Sequence, residues 1–147
     1  MSENYFARRR LATALTIACA SLALPATAAD LLSGEWVGSY RCYQGLTALT
    51  LTIKPDGKQW SGVFAFGPDK DNKTVPHGSY ELVITANADG YHMEPGAWIM
   101  QPEGYTAVAL DGDVSEDLTM LAGDVQFDGC TRFATARTTP LPVPKTK

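Results

Sequence analysis

Two cysteines constrain this chain more than any other feature. With the N-terminal export signal removed, Cys42 and Cys130 are the only pair left, one towards each end of what remains. An even pair in an oxidising compartment reads as one disulfide rather than as reactive thiols. Such a bridge closes a loop of nearly the whole domain, worth roughly 4 to 5 kcal/mol in the chain-entropy treatment. That is comparable with the net stability of a small domain. The stretch Gly34–Cys42 alternates Trp36, Gly38 and Tyr40 with Glu35, Val37, Ser39 and Arg41, the period of a strand whose two faces differ. By parity Cys42 shares the face of Trp36 and Tyr40, pointing inward to where a second strand can be bridged.

The export signal is read from residues 1–28. Arg8, Arg9 and Arg10 precede the apolar run Leu11–Leu24, and Ala26-Thr27-Ala28 supplies the small residues that a signal peptidase reads. The run of 14 residues falls short of the roughly 20 that span a bilayer, so no membrane span is expected in a mature chain starting at Ala29. The destination is periplasmic or secreted. Two other readings of the same residues stay open. Thr16-Ile17-Ala18-Cys19 resembles a lipobox with Thr16 at the aliphatic position, which would lipidate Cys19, and Arg8-Arg9-Arg10-Leu11 partly resembles a twin-arginine signal.

Of 147 residues, 119 then remain, enough for one domain with one core. The signal takes three arginines and Glu3, leaving nine basic against 15 acidic residues, a net charge of −6. No polybasic patch is left to hold nucleic acid or an anionic membrane.

Along the chain, Leu46–Lys54 alternates Leu49, Leu51 and Ile53 with Thr50 and Thr52, a clear amphipathic strand. Pro55-Asp56-Gly57-Lys58 has turn chemistry. Gln59–Phe66 returns antiparallel with Trp60, Gly62, Phe64 and Phe66 on one side, and residues 67–76 form a polar loop. Further strands are expected over Gly78–Asn87, Tyr91–Glu94, Tyr105–Leu110, Leu118–Phe127 and Thr131–Arg137, with an acidic turn over Asp111–Asp117. Pro95–Gly104, with large apolar residues between prolines, fits neither a strand nor a solvated loop. No segment shows helical periodicity over three turns. The fold class is therefore all-β: one antiparallel meander of about eight strands over residues 29–137, closing as a barrel or a sandwich and tied by one disulfide, with a loose Pro-rich tail at 138–147.

Candidate sites are few. His77 and His92 are not at ligand spacing from a Cys, His or carboxylate cluster, so no metal is implied, and no cofactor motif is present. Asp111-Gly112-Asp113-Val114-Ser115 opens like a calcium loop, but Glu116 stands at its glycine position and Ala122 at its twelfth, which favours a hairpin turn. No Gly-x-Ser-x-Gly elbow occurs, while Glu81, Glu94 and Glu103 leave a carboxylate pair open. The aromatic residues Trp60, Tyr91, Trp98 and Tyr105 are candidates to floor a single groove, since aromatic rings bury much area at low rotamer cost. The expected binding residues are Trp98, Tyr105, Glu103 and Tyr91, with Trp98 in its Pro-Gly frame as an exposed anchor.

Three resemblances bear on these residues. Gly34-x-Trp36 at the head of the chain resembles the opening of lipocalin and avidin barrels, although the later Thr-Asp-Tyr motif of lipocalins is missing. Tyr40-Arg41-Cys42 with a late partner cysteine is similar to periplasmic C-type lysozyme inhibitors, whose Ser-Gly-x-x-Tyr loop has only Ser61-Gly62-Val63-Phe64-Ala65 as its counterpart. Gly38-Ser39-Tyr40-x-Cys42-x-Gln44-Gly45, Trp98-Ile99-x-x-Pro102-x-Gly104-Tyr105 and Gly129-Cys130-x-x-Phe133 together resemble a small secreted bacterial β-domain sometimes appended to caspase-like peptidases. This last likeness covers nearly the whole mature chain and implies a fold without an activity. The leading expectation is an exported non-catalytic binding module, an inhibitor or other partner of an envelope or extracellular protein, or a binder of a small ligand. The alternatives are a small hydrolase acting on glycan or ester substrates and a structural envelope component.

Overall fold

A computed structural model describes residues 29–141; residues 1–28, where the export signal is expected and which include Cys19, and residues 142–147 lie outside the described residues. A helical turn, α1 (Ala29–Leu32), precedes eight strands: β1 (Gly34–Cys42), β2 (Gly45–Asp56), β3 (Gln59–Gly67), β4 (Gly78–Asn87), β5 (Gly90–Met100), β6 (Ala109–Val114), β7 (Met120–Gln126) and β8 (Arg132–Arg137). Each strand pairs antiparallel with the next, and β8 returns to β1, so the sheet closes as a barrel rather than a sandwich. Among the described residues no helix is long and apolar enough to cross a membrane.

Period-two alternation fills the interior. Trp36 and Tyr40 of β1, Leu49, Leu51 and Ile53 of β2, Trp60, Phe64 and Phe66 of β3 and Tyr80, Leu82 and Ile84 of β4 are all buried. The seam of β1 with β8 is short, five pairs from Trp36↔Arg137 to Tyr40↔Phe133. Gly38 faces β8 so closely that a Cβ there would lie 2.0 Å from the Ala134 carbonyl oxygen, and only glycine admits that approach.

The two ends of the barrel differ. At the end holding the β2–β3, β4–β5 and β6–β7 turns, Leu32 of α1 is fully buried as a plug. The Trp36 Nε1–H donates to the Leu32 carbonyl at 2.9 Å. The Arg137 guanidinium lies 4.0 Å over the Trp36 ring. It donates to the carbonyls of Leu31, Ser33 (2.6 Å) and Leu118 (2.9 Å), joining the N-terminal turn to the β6–β7 connection. Thr138 and Thr139, the first residues of the stretch expected to be a loose tail, hydrogen-bond to Glu35. At the opposite end the Cys42–Cys130 disulfide joins the β1–β2 hairpin to the loop before β8, across 88 residues.

Two elements differ from the sequence reading. β5 does not stop at Glu94 but runs to Met100, with register breaks where Gly96-Ala97 and then Ile99 are accommodated against β4. Its pairing with β6 covers only Tyr91, His92 and Met93, so Pro95 sits where a proline is admitted, on a stretch without a second ladder. The sixth strand is Ala109–Val114 and not Tyr105–Leu110, because Tyr80 takes the backbone of Val108 instead of a neighbouring strand doing so. The Tyr80 hydroxyl donates to the Val108 carbonyl at 2.8 Å and accepts its N–H at 3.3 Å. Asp111 and Asp113 consequently belong to β6, and the turn is made around Asp117, which accepts from Ser115 Oγ (2.6 Å), Thr119 Oγ1 (2.8 Å) and the Thr119 N–H (3.1 Å).

The barrel of residues 29–141 is expected to show no free thiol, and Cys42→Ser and Cys130→Ser to lower its stability equally, by about 4 kcal/mol. Thiol titration without reductant and urea midpoints of the two variants check both statements.

Candidate functional site

Three connections meet at the disulfide-tied end: the hairpin Tyr43-Gln44, the segment of residues 101–108, and the loop of residues 127–131. They surround a cavity of about 300 Å³. Its floor is Phe64 and Tyr80, both fully buried and stacked with centroids 4.7 Å apart at 11°. One wall is the stacked pair Phe66 and Tyr105, 5.4 Å apart at 18°. Tyr40, edge-on to Phe64 at 5.4 Å, and the disulfide form another. The rim carries Gly104, Thr106, Phe127 and Tyr43, the last 76 % exposed. Tyr43 is seated over Gly129, where φ is +80° and a Cβ would stand 2.1 Å from the tyrosine ring.

Polar atoms are sparse. The Gln44 amide nitrogen donates to the hydroxyls of Tyr40 (3.1 Å) and Thr47 (3.2 Å), and the Thr47 hydroxyl donates in turn to the Gly45 carbonyl (3.1 Å). The hairpin is held in place from outside by Asn72, whose side-chain amide donates to the carbonyls of Gln44 (2.5 Å) and Leu46 (3.1 Å). Burial pushes the phenols of Tyr40 and Tyr80 far above the ordinary tyrosine pKa, so both stay neutral. None of the residues lining the cavity carries a carboxylate, imidazole, amine or guanidinium. The arrangement can bury and orient a small apolar molecule; it has no group placed to exchange a proton near neutral pH.

The expected binding residues do not share one groove. Tyr105 lines the cavity. Trp98 stands behind its wall, half-buried and edge-on to Tyr80 (5.0 Å) and Phe66 (6.4 Å), so it braces the cavity instead of projecting as an exposed anchor. Glu103 is exposed in the 101–108 segment and is not among the lining residues. Tyr91 packs edge-on to Trp60 (5.3 Å) near the β4–β5 turn, at the plugged end. Trp98 lies seven residues further along β5, about 23 Å at strand rise, which is why Trp60 and Tyr91 are apart from Trp98 and Tyr105, the latter two each packing on Phe66. Sequence reasoning missed Tyr40, Gln44, Phe64, Phe66, Tyr80 and Phe127 as cavity residues. Tyr40-x-Cys42-x-Gln44 and Phe127, three residues before Cys130, flank the two cysteines, and that proximity was the available signal.

The carboxylates proposed for hydrolysis are also apart. Glu81 lines a groove of the outer wall with Lys54 and Asp56. Glu94 accepts from His92 Nε2 at 2.9 Å, while His92 Nδ1 is 2.6 Å from Asp111. Both ring nitrogens of His92 are thus engaged, which removes it as a free base and sets the two carboxylates on opposite sides of the ring. Register continues the row outward from His92↔Asp111 to Asp111↔Asp124 and Asp124↔Arg132, the last pair 3.9 Å apart. The hydrogen bond to Asp111, followed by that to Glu94, holds the His92 pKa above its ordinary value.

Fold and site together define a small closed antiparallel barrel with an aromatic cavity at one end. Compared with protein-family models, with curated proteins and with solved structures, the chain matches none.

Trp98→Ala is expected to cost about 2 kcal/mol, between the under 1 kcal/mol of an exposed site and the roughly 3 to 5 kcal/mol of a buried tryptophan, read from a urea midpoint at unchanged m-value. For His92 the folded pKa is the higher one, so its contribution is complete below the unfolded value of about 6.5 and is lost as pH rises through the folded value. The midpoint difference between wild type and His92→Asn should therefore be largest at about pH 6 and shrink by about pH 8.5.

Proposed function

We propose that this chain is an exported, non-catalytic binding module that takes a small, mostly apolar ligand at the open end of its barrel. The observation that carries this reading is the 300 Å³ cavity walled by Tyr40, Phe64, Phe66, Tyr80 and Tyr105 without a single ionisable acid or base active near neutral pH. Its volume is at the lower end of the roughly 300 to 1,000 Å³ usual for ligand sites, and apolar walls with few polar groups are their ordinary composition. Eight-stranded barrels are also just wide enough either to be filled by side chains or to hold one small molecule. Here the plugged end is filled and the disulfide-tied end is not. Export is supported by the residue pattern of the first 28 positions and by the compatibility of a disulfide with an oxidising compartment.

A second reading, capture of an envelope or extracellular protein, is favoured by the rim. Tyr43 is 76 % exposed and Phe127 44 % exposed beside the cavity mouth, and exposed aromatics at a rigid rim suit a protein contact. The hydrolase alternative has no such support.

Thr106 is exposed at the mouth, so Thr106→Trp should leave stability within about 0.5 kcal/mol while covering the entrance. Calorimetric titration of the mature protein with indole and naphthalene is expected to show saturable binding that Thr106→Trp weakens at least about tenfold. Absence of saturable binding by either probe would sink the small-ligand reading; loss of a periplasmic partner in Tyr43→Ala pull-downs, with no small-molecule binding, would install the second.

A further inference from the structure

The buried polar atoms of the cavity wall are already paired. The Tyr40 hydroxyl accepts from Gln44 and is hydrogen-bonded to Thr47 as well. The Tyr80 hydroxyl donates to the Val108 carbonyl and accepts the Val108 N–H. Among the described residues no buried side-chain nitrogen or oxygen lacks a partner. A ligand rich in N–H or O–H groups would therefore give up its water at this wall and find little in exchange. What the wall does offer is ring surface, since seven of the lining residues are aromatic. Tyr105 meets Phe66 by one face and makes no second ring contact among the described residues, while Tyr43 and Phe127 border the mouth with no ring stacked on them.

Charge adds a direction to this. No lysine or arginine lines the cavity. Arg41 lies between Tyr40 and Cys42 in the chain, but it is exposed on the opposite face of β1 from the buried Tyr40. Glu103 and Asp128, next in sequence to the lining residues Gly104 and Phe127, are both exposed on the segments that border the mouth. We infer, building on the reading that the cavity binds small molecules at all, that its ligand is a small quaternary ammonium, a cation clad in methyl groups. Such an ion carries no N–H, so a fully paired wall leaves nothing of it unsatisfied, and the negative faces of the rings attract its charge. A primary ammonium would bury donors without acceptors. An anion would meet the same ring faces with no cation to offset its desolvation.

Calorimetry of the mature protein at neutral pH with choline and with 3,3-dimethylbutan-1-ol isolates the charge, because the two molecules have the same shape and differ in having nitrogen or carbon at the branch. Choline should bind about tenfold or more tightly than the neutral alcohol. In Tyr43→Leu and in Tyr105→Leu, which keep an apolar side chain and remove the π face, that ratio should fall towards one. Tyr43 is 76 % exposed, so its variant keeps the test open if Tyr105→Leu fails to fold. Phosphocholine is the lipid-headgroup form of the same cation; with no lining cation for its phosphate it should bind more weakly than choline, and the reverse order would overturn a free ammonium as the source. Equal binding of choline and the alcohol overturns the cation assignment and leaves the small-ligand reading standing. A preference for choline that survives in both variants also overturns it, by assigning the attraction to the acidic surface instead of the rings. Indole binding without binding of choline or the alcohol removes the cation assignment alone; if indole fails too, the small-ligand reading falls and the cation assignment with it.

Discussion

Everything in this barrel depends on the seam between its first and last strands. β1 and β8 are a hundred residues apart in the chain and share only five pairs, so their meeting costs loop-closure entropy that the ladder alone offsets poorly. Two fastenings outside the ladder compensate. At one end the Cys42–Cys130 bond removes most of that entropy from the unfolded chain. At the other, Arg137 is partly withdrawn from water and spends its donors on three carbonyls while its flat face lies on Trp36. With the seam closed, no long sheet edge remains along β1 or β8.

The fastenings differ in bulk, and this difference creates the cavity. A guanidinium over an indole, with Leu32 beneath, fills its end with side chains. A disulfide is small and leaves its end empty in the middle. The bulges of β5 enlarge the effect, because a bulged strand bends out of line with its neighbour and β5 stops pairing with β6 after Met93. The 101–108 segment then crosses the gap and is stitched to Tyr80 through Val108, bringing Tyr105 onto Phe66. The cavity is thus what remains between a rigid floor and a segment that spans a break in the ladder.

Local alternation made the first four strands legible in the sequence, and the inward faces of the first three, since Trp36, Leu49, Leu51 and Phe64 need only parity to be assigned. The disulfide was legible from cysteine number and compartment. β6 was not, because Asp111 and Asp113 alternate with Leu110, Gly112 and Val114 in a way that a cluster of acidic residues and glycine disguises as a turn. Nor was the separation of Tyr91 from Trp98: both lie in one strand, and which end of a barrel a residue reaches is set by register with β4, a non-local quantity. The engagement of His92 by Asp111 has the same origin, as the two are 19 residues apart in sequence and adjacent only through the β5–β6 pairing.

The ties of Thr138 and Thr139 to Glu35, and of Arg137 to Leu31 and Ser33, gather both limits of the described chain at the plugged end. The cavity mouth faces the other way. Chain entry and exit thus stand together at one pole and the opening at the other, so among the described residues the mouth is bordered by internal connections alone.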